Sequence, residues 1–139
     1  MGRILAIDFG ERRVGLAVTD PEQHIATPLD TIPREEAMEY IQNYCEAEEV
    51  EAFVLGLPKS LDGSPTDATA PAERFGKGLQ KRFPDRPLHH EDERFTSKIA
   101  KQTLIQGGGT RKSRRDKGKV DQLSATLILQ SFMERHSSS

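Results

Sequence analysis

"RILAIDFGERRVGLAVTD", residues 3–20, sets an acid, Asp8, near the end of an otherwise apolar run and follows it closely with Gly10. Residues 3 to 9 read as a strand bounded by Gly10, and Val14 to Thr19, rich in apolar and β-branched residues, reads as a second. The intervening GERR makes the pair a hairpin. An ionised carboxylate at the end of an apolar strand carries a desolvation cost unless it meets a cation, a hydrogen-bond donor or solvent. In an open sheet, the carboxyl ends of the strands face the functional crevice. Gly10 either makes the turn or lets a phosphate or metal approach the backbone closely. Taken alone, Asp8 is as readily a turn residue as a functional one.

Outward from this hairpin, a weaker extended piece spans Ile25 to Ile32, where Pro28 restricts it to an edge or a short run. The spacing of Ala37, Met38, Ile41, Tyr44 and Cys45 then predicts an amphipathic helix with Pro33 in its first turn. EAFVLGLP is a near-continuous apolar run, as suits a strand buried on both faces. Ala68, Ala72, Phe75, Leu79 and Phe83 share one face of a second helix, which Pro84 and Pro87 close before a short strand, PLHHEDER. Thr96 is placed to cap a third helix ending at Gly107, and a basic loop, GGGTRKSRRDKGK, follows. The closing VDQLSATLILQSFMERH is apolar around most of its circumference and so should pack against the sheet. The order is βββαβαβα, an α/β arrangement. A chain of 139 residues suits one domain, expected over 1–136, with a disordered serine tail at 137–139.

The formal net charge of −2 offers no global attraction to nucleic acid or to an acidic membrane surface, so any such attraction must be local. No apolar run approaches the roughly 20 residues needed to cross a bilayer, and no signal-peptide pattern opens the chain. A cytoplasmic protein with no membrane partner is expected. Cys45 is the only cysteine, which rules out an intrachain disulfide and a cysteine-based metal site.

Two further groups of acids stand beside Asp8. In EDER, side chains alternate across the strand, so Glu91 and Glu93 share one face while Asp92 points to the other. Two carboxylates about 4 Å apart repel by roughly 4 kcal/mol at an effective dielectric near 20, a cost that a divalent cation removes. Asp121 is expected in the first turn of the last helix, where the macrodipole alone favours an anion. Each acid has an ordinary structural explanation as a solvated strand end or a helix-start residue. Together they offer hard oxygen ligands from three separate segments, the chemistry of Mg²⁺ or Mn²⁺ and not of zinc, since the histidines lack ligand spacing. The basic loop adds Arg111, Lys112, Arg114, Arg115, Lys117 and Lys119, six cations against the single acid Asp116, beside Asp121. Such a loop is either solvated or a phosphate-binding segment whose affinity falls steeply with salt. GGGTRKS is not a P-loop, because Gln106 and Arg111 occupy both required glycine positions.

AIDFGERRVGLAV, VLGLPKSLDGS, DERFTS and KGKVDQLSATLILQSF, in this order and spanning nearly the whole chain, resemble the YqgF (RuvX) family of the RNase H-like superfamily, related to the RuvC Holliday-junction resolvases. The resemblance implies an RNase H-like fold: a mixed five-stranded sheet, three antiparallel strands first, flanked by helices. It implies a nuclease site carried by Asp8, by Glu93 with Asp92 as the alternative, and by Asp121, holding Mg²⁺ or Mn²⁺, two ions bridged by Asp8. Gly10, Arg13, Lys59 and the basic loop would position the phosphate backbone. RuvC-type resolvases carry a further acid one turn beyond the last-helix aspartate, where this chain has Ser124, and a glutamate on the fourth strand, where it has GLP. The family is associated with processing the 5′ end of precursor 16S ribosomal RNA, so RNA and ribosome precursors are the favoured partners. Holliday-junction resolution is the alternative, and a scaffold that binds nucleic acid without cutting it is another. Sugar kinases and actin-like ATPases open with a similar Asp-x-Gly hairpin, but they need a second such domain.

Overall fold

Seven residues of strand β1 (Arg3–Phe9) alternate between two faces, and both faces are covered. Ile4 and Ala6 point one way while Leu5, Ile7 and Phe9 point the other, so β1 is the middle of a layered structure. The computed structural model describes residues 2–57, 69–92 and 117–137. The remaining strands are β2 (Arg13–Thr19), β3 (Ala26–Pro33), β4 (Val50–Leu57) and β5 (Leu88–Asp92). They form one sheet in the order β3-β2-β1-β4-β5. β1 is antiparallel to β2, and β2 to β3, whereas β4 runs parallel to both β1 and β5. The mixed five-stranded sheet with three antiparallel strands first is therefore present, and the described elements follow the order βββαβαβα.

β3 is the edge strand that Pro28 implied. Its ladder with β2 is irregular between Leu16 and Ala17, and Pro28, which has no N–H to donate, pairs with Ala17 at this irregularity. Pro33 is placed differently from the expectation. It closes β3 opposite Arg13, and a 3-10 turn over Arg34–Glu36 separates it from helix α1 (Ala37–Ala47). Proline's fixed φ, here −59°, fits a strand end as well as a helix start, and the pairing with β2 decides between them.

Helix α1 and helix α2 (Thr69–Arg82) cover one face of the sheet, burying Ala37, Ile41, Ala72 and Leu79 against Leu5, Ile7, Leu16, Phe53 and Leu55. α2 comes close because it has Gly76 at the contact: a Cβ there would lie 2.8 Å from Leu55 Cδ2 and 3.1 Å from Leu88 Cδ2. The long helix α3 (Lys117–Ser137) covers the other face, burying Ala125, Ile128, Leu129 and Phe132 against Ile4, Ala6, Ala17, Ala52 and Val54. α3 starts earlier than the sequence pattern implied, so Lys117 and Lys119 are helical, not part of a loop, and Asp121 lies beyond the first turn. It also runs through Ser137, into the stretch read as a tail. The helix expected from Thr96 to Gly107 falls outside the described residues. Among the described residues, no helix is long and apolar enough to cross a membrane.

The α1 layer sets an alkaline limit on stability. Burial, and then the Asp30 carboxylate that takes its hydrogen bond, push the Tyr40 phenol from its ordinary 10.0 up to about 12, and burial also pushes up the Cys45 thiol from 9.0. Both groups favour their neutral form more strongly when folded, so the unfolded chain loses these protons first as pH rises. The resulting stabilisation is fully present below about pH 9 and is lost as pH climbs through about 12. Urea midpoints measured from pH 8 upward should hold steady and then fall, with a shallower fall in Tyr40→Phe.

Candidate active site

Asp8 shares the parity of Ile4 and Ala6, so it sits on the α3 face at the carboxyl end of the middle strand, half-buried. Its antiparallel partner on β2 is Gly15. On the other side, the β1–β4 ladder ends at Ile7–Leu55, and the next residue of β4, Gly56, is paired with Glu91 of β5. The row across the sheet therefore reads Gly15, Asp8, Gly56, Glu91. Neither neighbouring strand position carries a side chain beside Asp8. α3, which carries Asp121, is the helix packed over this same face.

The turn after Asp8 is equally specific. The Gly10 N–H donates to the Arg13 carbonyl at 2.9 Å, and a Cβ on Gly10 would come within 2.5 Å of that oxygen. No flexible side chain is available to yield, because the obstacle is backbone. Gly10→Ala should therefore open the hairpin at the residue next to the site and cost about 1–3 kcal/mol. Denaturant midpoints together with cleavage rates would check this, with both expected to fall.

The turn also gathers cations. Arg12 is exposed and Arg13 half-buried. Arg34, which follows β3, donates from Nη1 to the Glu11 carbonyl at 3.1 Å, while its guanidinium lies 4.6 Å from the centre of the Phe9 ring and its N–H donates to the Arg12 carbonyl at 2.9 Å. Of these, sequence reasoning singled out Arg13 alone. Arg34 escaped because only the β2–β3 pairing brings it to the turn.

On β5, the His89 ring packs on Phe132 of α3, with centroids 4.8 Å apart. Glu91 is 3% exposed, accepts a hydrogen bond from Ser131 Oγ at 2.6 Å, and is ion-paired with Arg135. Glu91 therefore belongs to the α3 face, but its two oxygens are already engaged. Ser131 and Arg135 are one helical turn apart and so reach the same carboxylate. Asp92 ends β5, whereas Glu93, Lys59, Arg111, Lys112, Arg114 and Arg115 lie outside the described residues.

A second acid group occurs at the β2–β3 turn. Potential ligand atoms of Asp20, Glu22 and His24 lie within 4.8 Å of one another. The Asp20 carboxylate is occupied by the turn itself, accepting from the N–H groups of His24 at 2.7 Å and Ile25 at 2.8 Å. These bonds, that from Ile25 above all, hold its carboxyl below the usual range. Gln23, at φ 62°, is held in the left-handed region by its N–H to Asp20 O and by its side-chain amide to Gly2 O. The group is explained by turn geometry.

A mixed sheet in the order β3-β2-β1-β4-β5, with an acid at the carboxyl end of the middle strand on the face covered by the last described helix, defines an RNase H-like fold. Solved structures of the same fold include the fowlpox virus resolvase in complex with Holliday junction DNA, at TM-score 0.61 and 10% identity over 96% of this chain and 97% of that one. Another is the Thermus thermophilus RuvC in complex with a Holliday junction substrate, at TM-score 0.55 and 16% identity over 97% and 96%.

The chain belongs to the RuvX family, whose model, described as Holliday junction resolvase, matches residues 2–135. It is 46% identical over 136 residues, 98% of this chain and 96% of the relative, to a protein of Amoebophilus asiaticus named "Putative pre-16S rRNA nuclease". A Bacteroides fragilis protein of the same name is 44% identical over 134 residues, 96% of this chain and 97% of the relative. The chain is accordingly a nuclease, a hydrolase of phosphodiester bonds.

Proposed function

We propose that this nuclease trims the 5′ end of precursor 16S ribosomal RNA in the cytoplasm, using a divalent cation, Mg²⁺ or Mn²⁺, held by Asp8, Glu93 and Asp121. The observation that carries this reading is the place of Asp8: half-buried, at the carboxyl end of the middle strand, on the face covered by the helix that carries Asp121, with glycines on both flanking strands. Glu93, with Asp92 as the alternative, is taken from the DER motif of the family. The donor set fits a hard cation, being all carboxylate oxygen with no thiol or imidazole. When bound, such an ion, or a pair of them, supplies Lewis-acid stabilisation of phosphate charge and makes water a competent nucleophile at neutral pH.

The chain's own residues supply the rest. Asp8 would hold the cation at a fixed place in the row, and so fix where the reacting phosphate sits. Gly10 keeps the backbone low enough for that phosphate to approach. Arg13, Lys59, Arg111, Lys112, Arg114, Arg115, Lys117 and Lys119 bind flanking phosphates, which positions the strand without reading its sequence. Support for RNA comes from the relatives' names and from two positions where RuvC-type resolvases carry acids: here one is Ser124, buried at 6% exposure, and the other falls in the Gly56–Leu57–Pro58 run. The second reading, cleavage of four-way DNA junctions, follows the family model's description.

Purified protein should be assayed side by side on a 5′-extended 16S precursor and on a four-way junction, each with Mg²⁺, Mn²⁺ or EDTA. Cation-dependent cutting of the precursor with a weaker effect on the junction is expected. Preferential junction cleavage would transfer the assignment to the second reading.

A further inference from the structure

Glu91 is not used by the chemistry proposed above, yet it is the most expensive acid in the described structure to place. It is 3% exposed, and both of its oxygens are satisfied from one helix, α3: Oε2 accepts from Ser131 Oγ at 2.6 Å, and Oε1 takes the Arg135 guanidinium. An ion pair that buries its carboxylate is a poor way to gain stability, because desolvation offsets much of the attraction, but it can fix register. Here it joins β5 to α3, and the packing of His89 on Phe132 supports the same junction. It also stands in the cross-strand row of Asp8, separated from it by Gly56, which adds no side chain to fill the gap.

We infer that Glu91 is a positioning residue for cleavage: its pairing with Ser131 and Arg135 locks α3 onto the end of β5, and so holds the acid-bearing elements of the α3 face in one register around Asp8. This rests on the reading of Asp8 and Asp121 as cation ligands. Loosening the latch lets α3 slide or rotate, which spreads the carboxylates and weakens cation binding while leaving Arg13, at the β1–β2 turn, in place.

The test uses the full chain and the substrate that the wild type cuts. Glu91→Gln keeps the shape and an acceptor for Ser131 but breaks the ion pair. Arg135→Met breaks it from the exposed end, where folding tolerates change, since the Arg135 side chain is 61% exposed. Both variants should lower kcat by about 10-fold and raise the Mn²⁺ concentration for half-maximal activity, as mutation of residues behind metal ligands typically does, with a smaller change in KM for the nucleic acid. Arg135→Lys should restore most of the loss. Gly76→Ala, which strains the opposite face, serves as a control for stability alone: it should lower Tm with kcat and the Mn²⁺ requirement unchanged at 25 °C.

If Arg135→Met and any folded Glu91→Gln protein keep kcat and the Mn²⁺ requirement within twofold of wild type, the latch has no positioning role. The positioning role is equally overturned if Gly76→Ala reproduces their changes at an equal fall in Tm. A cleaving Asp8→Asn protein would instead overturn the cation-site reading itself, which keeps the two failures apart.

Discussion

Asp8→Asn is expected to lower kcat by more than about 100-fold while leaving Tm and the affinity for nucleic acid close to wild type. Mutating a residue that merely supports a metal ligand costs about 10–100-fold, so losing a ligand itself must exceed that range. Asparagine matches aspartate in shape, and the Gly15 and Gly56 neighbours present no side chain that the amide would crowd. What disappears is the negative charge at the end of β1. Desolvation of that charge opposes its burial. Removing it also lowers the repulsion toward a phosphate, so binding survives when cleavage does not. Rates, Tm and binding measured on one preparation separate this outcome from a folding defect, and near-normal cation-dependent cleavage by Asp8→Asn would sink the assignment.

Phe53→Ala should show the opposite profile, a large loss of stability with the chemistry intact. Phe53 is 1% exposed in the middle of β4, packs with Phe83 at 5.4 Å between ring centroids, and lies on the α1–α2 face, away from Asp8. Truncating a buried phenylalanine removes its transfer free energy and leaves a cavity, a combined cost of about 3–5 kcal/mol. Against a total stability of about 5–15 kcal/mol, this is a large share. The urea midpoint and Tm should drop sharply. At 10 °C, where the folded fraction is still high, kcat per folded molecule should match wild type, since the α3 face keeps its packing through Ile4, Ala6, Val54, Ile128 and Leu129. An equal loss of kcat in the cold would mean that the two faces are coupled.

The fold was legible where one period ruled. β1, β2 and β4 carry their apolar residues in runs that suit buried strands, and Pro28 marked β3 as an edge. Two boundaries were not legible for a local reason. Pro33 fits a strand end and a helix start alike, and only its pairing with Arg13 decides. Lys117, Gly118 and Lys119 have the composition of a loop, yet they extend α3, whose apolar face is secured farther along by Ala125, Ile128 and Leu129.

The site was legible one acid at a time. Asp8 stood out as a charge in an apolar strand, and its parity with Ile4 and Ala6 gave its face once α3 was known to cover that face. The role of Glu91 was hidden, because its partners Ser131 and Arg135 are 40 and 44 residues away and no local pattern couples them. In EDER, the burial of Glu91 and its bonds to Ser131 and Arg135 give that acid a structural role.

A Mn²⁺ titration monitored by paramagnetic broadening of backbone amide signals tests the cation site most directly, with wild type, Asp8→Asn and Asp20→Asn compared. The amides of Ile7 to Gly10 and Gly56 should broaden first in wild type and in Asp20→Asn, and should remain sharp in Asp8→Asn. Broadening that starts at Asp20, Glu22 and His24, and is unaffected by Asp8→Asn, would contradict a cation site at the end of β1.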